Sequence, residues 1–319
     1  EFRGRITKPM RILVLGAGAT GGYFGGRMLE AGADVTFLVR PQRAERLRRE
    51  GLVVESHYGN LHLRDLALVE KVQEPFDLVI LSCKAYDLEG AMEAVAPAVG
   101  AESMVLPLLN GMQHLSVLQK RFAEENILGG CCVISSELSE DGRIVHLNKN
   151  HSLRYGELSG VMSERMQELE EVIAPCNFTS QASFSIVQDM WEKWVLIASL
   201  AALTTLMRAT VGDIARAPFG KEIAEQLASE CLAILKAHDF EPSSAFVEAT
   251  YSRLVDPAST LTASMLRDME RGNRVEGKQI LGDFIHMAKA KELSVPVLQA
   301  AYCHVSAYEL RRGLCDTAS

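Results

Sequence analysis

Short, almost wholly apolar runs recur in the first part of the chain, and stretches with helical periodicity separate them. This alternation predicts buried strands of a parallel sheet joined by crossover helices. We expect these strands at Arg11 to Leu15, Asp34 to Val39, Phe76 to Ser82 and Met104 to Leu109. Shorter strands are expected within Leu52 to Val69, around the turn at Gly59.

The pattern changes further along, where polar and apolar positions alternate. We expect antiparallel strands here, with a hairpin turn at Asp141 and Gly142. The predicted strands are Ile127 to Ser135, Gly142 to Asn148 and Ser152 to Gly156. A helix from Ser163 to about Ala174 and a short strand near Ala182 to Ile186 complete this region.

From Gln188 onward the strand patterns end and helical periodicity takes over. Prolines and one glycine interrupt it, and these breaks fall at Pro218, Pro242, Pro257 and Gly272. A chain of 319 residues exceeds the size of most single cores,. We therefore predict an α/β fold with a doubly wound sheet over residues 10–186, followed by an all-helical domain over residues 187–319.

A glycine-rich turn follows the first strand, in the order RILVLGAGATGGYFGG. A strand, a G-x-G-x-x-G turn and a helix together are typical of a Rossmann-type dinucleotide site. Gly16 permits the tight turn, Gly18 lets backbone approach a pyrophosphate, and Gly21 allows the helix to pack on the sheet. Amides at the helix N-terminus, where Ala19 lies, would meet the phosphate charge. The alternative is an ordinary glycine-rich turn between a strand and a helix.

An arginine, Arg40, follows the second strand, where an NAD-binding protein carries an acidic residue. A guanidinium matches a 2′-phosphate, so this position favours NADP(H). Arg43 is a second candidate for the same phosphate. The alternative for both arginines is a solvated position on the arginine-rich helix PQRAERLRRE.

Two more polar residues follow strands of the same predicted sheet. Lys84 comes after the third strand and Asn110 after the fourth. The carboxyl ends of parallel strands meet at one edge, where ligands bind. We therefore expect both side chains at the cofactor site, although a surface lysine and a turn-forming asparagine are the alternatives. Asp87 is expected to cap the helix after Lys84.

The net charge of −8 argues against a nucleic-acid-binding surface,. The apolar run from Trp194 to Met207 lies between Lys193 and Arg208 and is too short to span a bilayer, so we expect a buried core helix. No signal peptide is evident, and we expect the native chain to begin at Met10. Seven cysteines without metal-binding spacing favour reduced thiols in a cytoplasmic protein with no metal site,.

In the helical part, Lys193 opens an apolar helix and Glu276 lies at the start of another. The lysine either reaches solvent or points into a cleft. The glutamate either takes part in a site or complements a helix dipole. His114, His146 and His238 show no catalytic pattern, and we expect each to be at the surface or to have its hydrogen bonds satisfied.

The set of motifs resembles the ketopantoate reductase (2-dehydropantoate 2-reductase) family over nearly the whole chain from Met10. The matching features are the glycine turn, Arg40, the segment around Lys84, the segment around Asn110, Lys193, and the pattern containing Ser264, Asp268 and Glu276. The resemblance implies a Rossmann domain, a helical domain, NADPH as cofactor, and a 2-oxo acid bound in the interdomain cleft and reduced to a 2-hydroxy acid. It also implies that Lys193 and Glu276 are catalytic and that Ser264 contacts substrate.

The implied reaction is reduction of 2-dehydropantoate to pantoate, in pantothenate biosynthesis. One departure bears on it, because the family carries asparagines four and eight residues after the catalytic lysine. Here those positions are Ile197 and Ala201, on the helix face of Lys193. A different, more apolar 2-oxo acid is therefore an alternative substrate, and a non-catalytic NADP-binding regulator is a further one. The helical domain also offers apolar faces for a homodimer, although the sequence singles out none.

Overall fold

The computed structural model describes residues 9–313, so most of the segment before Met10 lies outside the described range. The chain forms two compact units. The sheet unit contains the chain up to Leu109 together with His114–Val187. The helical unit contains Asn110–Gln113 and the chain from Gln188 onward. The short segment that follows the fourth predicted strand thus groups with the helices.

Among its described residues, the sheet unit contains ten strands: β1 (Arg11–Leu15), β2 (Asp34–Leu38), β3 (Leu52–Glu55), β4 (Leu61–Leu63), β5 (Ala67–Val69), β6 (Leu78–Leu81), β7 (Met104–Pro107), β8 (Leu128–Leu138), β9 (Ile144–Glu157) and β10 (Thr179–Ala182). The helices that begin before the helical part of the chain are α1 (Ala19–Glu30), α2 (Pro41–Glu50), α3 (Leu88–Val95), α4 (Gln113–Arg121) and α5 (Glu164–Ile173).

The first sheet has the order β5-β2-β1-β6-β7, and all its pairs are parallel. Counted along the chain, this order corresponds to the first five strands of a Rossmann sheet. Every residue of β6 and β7 is buried, as their continuous apolar sequence predicts,. The carboxyl ends of β2, β1, β6 and β7 therefore share one edge, and the residues that follow them are brought to it.

The second sheet has the order β10-β9-β3-β4, with β8 paired antiparallel to β9. The prediction of two separate strands within 142–156 is wrong, because β9 is continuous. The β8–β9 register shifts between Ile134 and Ser136, which makes room for the polar residues in the middle of β9. There the side-chain oxygen of Asn148 accepts hydrogen bonds from the amides of Ser135 and Asn150, both at 3.2 Å. The turn-like sequence is a bulge rather than a turn.

The last predicted strand is displaced, since β10 ends at Ala182 and Ile186 already begins a helix. Ile186 is buried and packs over Gly129 and Gly156, where a side chain would collide with it. These two glycines leave the space that the isoleucine fills. The apolar residues after Ala182 therefore start a helix rather than extend the sheet.

Within the described residues, the chain from Gln188 onward is helical with no strand, as predicted. The helices are α6 (Ile186–Met207), α7 (Val211–Arg216), α8 (Gly220–Ala237), α9 (Ser244–Val255), α10 (Ser264–Glu270), α11 (Asp283–Ala290) and α12 (Pro296–Arg311), and Lys278–Gly282 forms a π-helix. The breaks between these helices contain Pro218, Pro242, Pro257 and Gly272, in agreement with the prediction.

Helix α6 is longer than the sequence predicts. It has 22 residues and begins at Ile186, so Lys193 lies inside the helix rather than at its start. By length and composition alone α6 is able to cross a membrane, but 61% of its most apolar window is buried inside the protein. Such burial is typical of the core helix of a soluble protein.

Candidate functional site

The glycine turn between β1 and α1 has the geometry that a dinucleotide phosphate requires. Gly16 has a φ of +88°, a conformation that favours glycine,. A Cβ at Gly21 would lie 2.5 Å from the Gly16 carbonyl oxygen and 3.1 Å from Cβ of Ser82, so only glycine lets α1 pack this closely. A Cβ at Gly18 would meet nothing within 4 Å, which leaves open space on the ligand side of the turn.

The N-terminus of α1 is suited to an anion. Its N-cap is Gly18, and no side chain caps the first turn or places a carboxylate in it. The first amides of a helix have no partner within the helix, and the helix dipole favours negative charge there. The open space at Gly18 and these amides, which begin at Ala19, fit the pyrophosphate of a dinucleotide.

Hydrogen bonds from neighbouring segments hold three successive residues of this turn. The Ser82 hydroxyl donates to the carbonyl of Leu15 at 2.8 Å, and the amide of Gly16 donates to the carbonyl of Leu38 at 2.9 Å. The Ala17 carbonyl accepts from Nε and Nη2 of Arg43, at 3.1 and 2.9 Å. The turn is thus fixed by β2, by α2 and by the residue after β6.

Arg43 is not the solvated residue of the alternative, because its guanidinium is half-buried and bonded to main-chain carbonyls. Its contact with a 2′-phosphate stays a prediction. Burial and repulsion from Arg46 lower the pKa of Arg43, against the opposing effect of Glu50. An arginine keeps its charge under such a shift, and its donors are taken up by backbone acceptors.

Arg40 occupies the position that the sequence predicts, at the end of β2 and directly before α2. Its side chain is 87% exposed, and its Nη2 atom lies 4.0 Å from a carboxylate oxygen of Asp87. An exposed ion pair of this kind stabilises a protein by no more than about 1 kcal/mol. A phosphate group, which carries more charge, is therefore able to replace Asp87 as the partner of Arg40. Asp87 makes no side-chain cap to α3, and the capping prediction is therefore wrong.

Lys84 and Asn110 follow β6 and β7, as expected. Lys84 is exposed and precedes a short 3₁₀ turn at Ala85–Asp87. Asn110 is half-buried and groups with the helical unit. The next residue, Gly111, has a φ of +80°, and a Cβ there would lie 3.0 Å from the carbonyl oxygen of Gln279. Asn110 thus belongs to the same unit as the predicted catalytic residues.

A buried tryptophan joins two segments of the helical unit. Trp194 is 1% exposed, and its indole Nε1 donates to the carbonyl of Ile280 at 3.0 Å. Trp194 adjoins the half-buried Lys193 on α6. Ile280 lies in the π-helix that starts just after Glu276. This hydrogen bond fixes the helix that carries Lys193 against the segment that follows Glu276.

Glu276 is only 7% exposed, and its carbonyl accepts a hydrogen bond from the amide of Ile280 at 3.0 Å. A carboxylate is seldom buried to this extent without a specific partner or task. Single π-helical turns are frequent at functional sites. The burial and the adjacent π-helix both favour a role in a site over the alternative of a residue that only complements a helix dipole.

The start of α10 is joined to α6 by a threonine. The amide of Ala263 donates to the Thr204 hydroxyl at 3.3 Å, and that hydroxyl donates to the carbonyl of Leu200 at 2.8 Å. Ser264, the first residue of α10, has an exposed side chain. Two contacts of α6 therefore position the segments of Glu276 and Ser264.

Ile197 and Ala201 lie one and two turns after Lys193 on α6. Ile197 is half-buried, whereas Ala201 is 2% exposed. These two apolar residues stand where the family carries asparagines, and Ile197 exposes more of its side chain than Ala201 does.

Of the three histidines considered from sequence, His114 and His146 are buried and His238 is half-buried. His146 is 4% exposed, and its ring bonds the Ser56 hydroxyl at 2.9 Å and the Asn150 carbonyl at 2.8 Å. His238 bonds the carbonyl of Met287 at 3.0 Å and stacks on Trp191. His114 is 5% exposed. The hydrogen bonds of His146 and His238 are structural.

Comparison with known proteins identifies the family. Residues 12–160 match the family described as Ketopantoate reductase PanE/ApbA, and residues 185–309 match Ketopantoate reductase PanE/ApbA C terminal. The chain belongs to the ketopantoate reductase family. It is therefore an NADP-dependent oxidoreductase that acts on CH–OH groups and reduces 2-oxo acids.

Individual relatives cover almost the whole chain. The uncharacterized oxidoreductase YkpB of Bacillus subtilis is 37% identical over 95% of this chain and 100% of the relative. The 2-dehydropantoate 2-reductase of Archaeoglobus fulgidus is 27% identical over 87% of this chain and 90% of the relative.

Solved structures share the fold. The crystal structure of 2-dehydropantoate 2-reductase from Geobacter metallireducens GS-15 has a TM-score of 0.85 at 23% identity, covering 93% of this chain and 99% of that one. The ternary structure of D-mandelate dehydrogenase with NADH and anilino(oxo)acetate has a TM-score of 0.85 at 20% identity, covering 96% of this chain and 100% of that one. At these identities the likeness concerns the fold alone.

Two substitutions in the glycine turn separate packing from ligand binding. Gly21→Ala introduces a methyl group where backbone and Ser82 already lie, so we expect the free energy of unfolding to fall by about 1–3 kcal/mol,. The methyl group of Gly18→Ala would lie in open space, so the free energy of unfolding should change by no more than about 0.5 kcal/mol, while NADPH binding weakens,. Urea unfolding and NADPH fluorescence titration measure the two effects. Equal destabilisation by both substitutions would contradict the packing argument.

The hydrogen bond of Trp194 is tested by Trp194→Phe, which keeps an aromatic ring but leaves the Ile280 carbonyl without this donor. We expect a loss of about 1–3 kcal/mol beyond that of the matched control Trp191→Phe. Trp191 is also buried in the same aromatic cluster, but it stacks on His238 instead. Urea unfolding of both variants makes the comparison, and similar losses would show that ring size alone matters.

Proposed function

We propose that this protein reduces 2-dehydropantoate to pantoate with NADPH, in the supply of pantothenate. The observation that carries the proposal is the arrangement around α6. Lys193 lies half-buried on this helix, and Trp194 attaches the helix to the segment after the buried Glu276. The 2-dehydropantoate 2-reductase of Archaeoglobus fulgidus, which aligns with most of the chain, supports this choice of substrate.

Most of the residues that bind the cofactor in this proposal belong to the sheet unit. The glycine turn and the amides that begin at Ala19 hold the pyrophosphate, and Arg40 binds the 2′-phosphate in place of its weak contact with Asp87,. Lys84 and Asn110 contact the nicotinamide ribose and the substrate. When bound, the nicotinamide supplies a hydride to the C2 ketone of the substrate.

The residues of the helical unit handle the proton and the substrate. Lys193 donates a proton to the carbonyl oxygen as negative charge develops there, and its positive charge stabilises that oxygen. Glu276 holds the substrate hydroxyl or orients the lysine ammonium. Ser264, whose side chain is exposed at the start of α10, donates to the substrate carboxylate. Exposure and position make it suited to an incoming ligand.

A second candidate function is the reduction of a more apolar 2-oxo acid, and Ile197 is the residue that favours it. An amide at this position would bond a substrate hydroxyl, and a buried hydroxyl without a partner costs about 1–3 kcal/mol. The isoleucine offers apolar surface instead. The structure of D-mandelate dehydrogenase, which has the same fold, contains anilino(oxo)acetate, and this supports the second candidate.

The burial of α6 and the family of 2-oxo acid reductases support a soluble enzyme that acts on a small molecule, and we place it in the cytoplasm. The same features give no support for a nucleic-acid or membrane partner. A homodimer is compatible with the apolar helices of this unit.

The substrate is tested by following NADPH absorbance with 2-dehydropantoate and with 2-oxo acids that have apolar side chains. We expect turnover of 2-dehydropantoate, and Ile197→Asn should raise its kcat/KM relative to that of the apolar acids. The matched control is Leu196→Asn, at the preceding half-buried position of α6. Turnover of apolar acids alone would establish the second candidate, and no turnover with any of them would favour a non-catalytic regulator.

The role of Lys193 is tested by Lys193→Ala. We expect kcat to fall by about 10²–10⁴, the usual contribution of a positioned acid, with little change in NADPH affinity. Steady-state kinetics and cofactor titration measure the two quantities. Lys221→Ala on α8 is the control, because that lysine is exposed and pairs only weakly with Glu225. Full turnover by Lys193→Ala would exclude this lysine as the acid.

A further inference from the structure

Arg43 connects two segments that are far apart in sequence. Its Nε and Nη2 atoms donate to the carbonyl of Ala17 in the glycine turn, at 3.1 and 2.9 Å. Its Nη1 atom donates to the carbonyl of Gly142, at 3.1 Å, at the tip of the β8–β9 hairpin. One guanidinium thus binds the predicted phosphate turn and a hairpin from the second sheet together.

The hairpin tip is shaped to receive α2. Gly142 has a φ of +77°, and a Cβ there would lie 2.6 Å from Nε of Arg46 and 2.8 Å from Nη1 of Arg43. Arg46 donates to the carbonyl of Glu140 at 2.8 Å. Two arginines of one helix therefore bind two carbonyls of the tip, those of Gly142 and Glu140, and a glycine leaves room for both.

The bond to Ala17 also sets the direction of the next amide. A trans peptide is planar, so the carbonyl of Ala17 and the N–H of Gly18 point in opposite directions. When Arg43 holds the carbonyl on the side of α2, the Gly18 N–H is directed to the other side. With the Gly18 N–H already in this direction, the backbone of the turn does not need to rearrange in order to bind a phosphate oxygen.

We propose that Arg43 is a positioning residue for the cofactor, which orients the Gly18 amide toward the pyrophosphate by holding the Ala17 carbonyl. The proposal rests on the proposed function, since it assumes a dinucleotide at the glycine turn. The pyrophosphate is common to NADPH and NADH. Arg43 therefore acts on both nucleotides alike, in contrast to Arg40, which acts on the 2′-phosphate alone.

The experiment measures the Kd of NADPH and of NADH by fluorescence titration without substrate, for Arg43→Ala, Arg40→Ala and the control Arg48→Ala. We expect Arg43→Ala to weaken both nucleotides by the same factor, about tenfold to a hundredfold, as the loss of charged hydrogen bonds predicts. Arg40→Ala should weaken NADPH alone. Arg48 is exposed, contacts Glu70 at 3.4 Å, and should change neither.

Hydrogen exchange in the cofactor-free protein gives a second readout. Arg43→Ala should speed exchange of the amides at Gly18 and in the segment 139–142, because the glycine turn and the hairpin tip both lose their hydrogen bonds to Arg43. Arg43→Lys should restore only part of the affinity, since an ammonium lacks the planar fork. If Arg43→Ala does not fold, Gly142→Ala perturbs the same contact from the hairpin and should weaken both nucleotides equally.

Two results would overturn the role of Arg43. Loss of NADPH binding with NADH unchanged would mean that Arg43 contacts the 2′-phosphate directly, and unchanged Kd values for both nucleotides would mean that the contact serves the hairpin only. A wild-type protein that binds neither nucleotide would instead refute the proposed function, and with it any role of Arg43 in cofactor binding. The wild-type titration therefore distinguishes the two failures.

Discussion

A hydrogen-bond donor that is buried or half-buried must find an acceptor, and for Arg43, Ser82 and Trp194 the acceptors are carbonyls of the segments that carry the candidate site. Leaving such a donor unpaired costs about 1–3 kcal/mol, a large part of the stability of a typical domain. Arg43 and Ser82 satisfy this requirement on the glycine turn. Trp194 satisfies it on the π-helix after Glu276. The same bonds that stabilise each unit therefore hold the backbone of its functional segment.

The cofactor half of the site was predictable to a large extent, because it depends on local backbone conformation. Gly16 needs a positive φ and Gly21 needs space beside the sheet, and both requirements are visible in the order of residues. The parallel sheet follows from continuous apolar runs, and it brings the residues after its strands to one edge. Arg40 is found there for this reason. The backbone contacts of Arg43 were not predictable, since its partners Ala17 and Gly142 come from distant parts of the chain.

The helical half was less predictable. Lys193 was expected to open its helix, but the helix begins at Ile186, because Gly129 and Gly156 leave a space that this isoleucine fills. Composition gives no sign of the π-helix at Lys278–Gly282. A buried tryptophan does signal a need for an acceptor, although the sequence does not say that Ile280 provides it,. The helical pattern placed Glu276 at the start of an apolar helix, but only the family resemblance implied its catalytic role.

The sequence by itself determined the order of strands and helices, the division into a sheet region and a helical region, and the glycines that a phosphate turn requires. Each of these depends on apolar periodicity or on the conformational range of one residue. The tertiary structure alone decided which distant carbonyl each buried donor meets, and hence that Arg43 binds backbone while Arg40 stays exposed. The two arginines are chemically identical and three residues apart, so only their surroundings in the fold distinguish their roles.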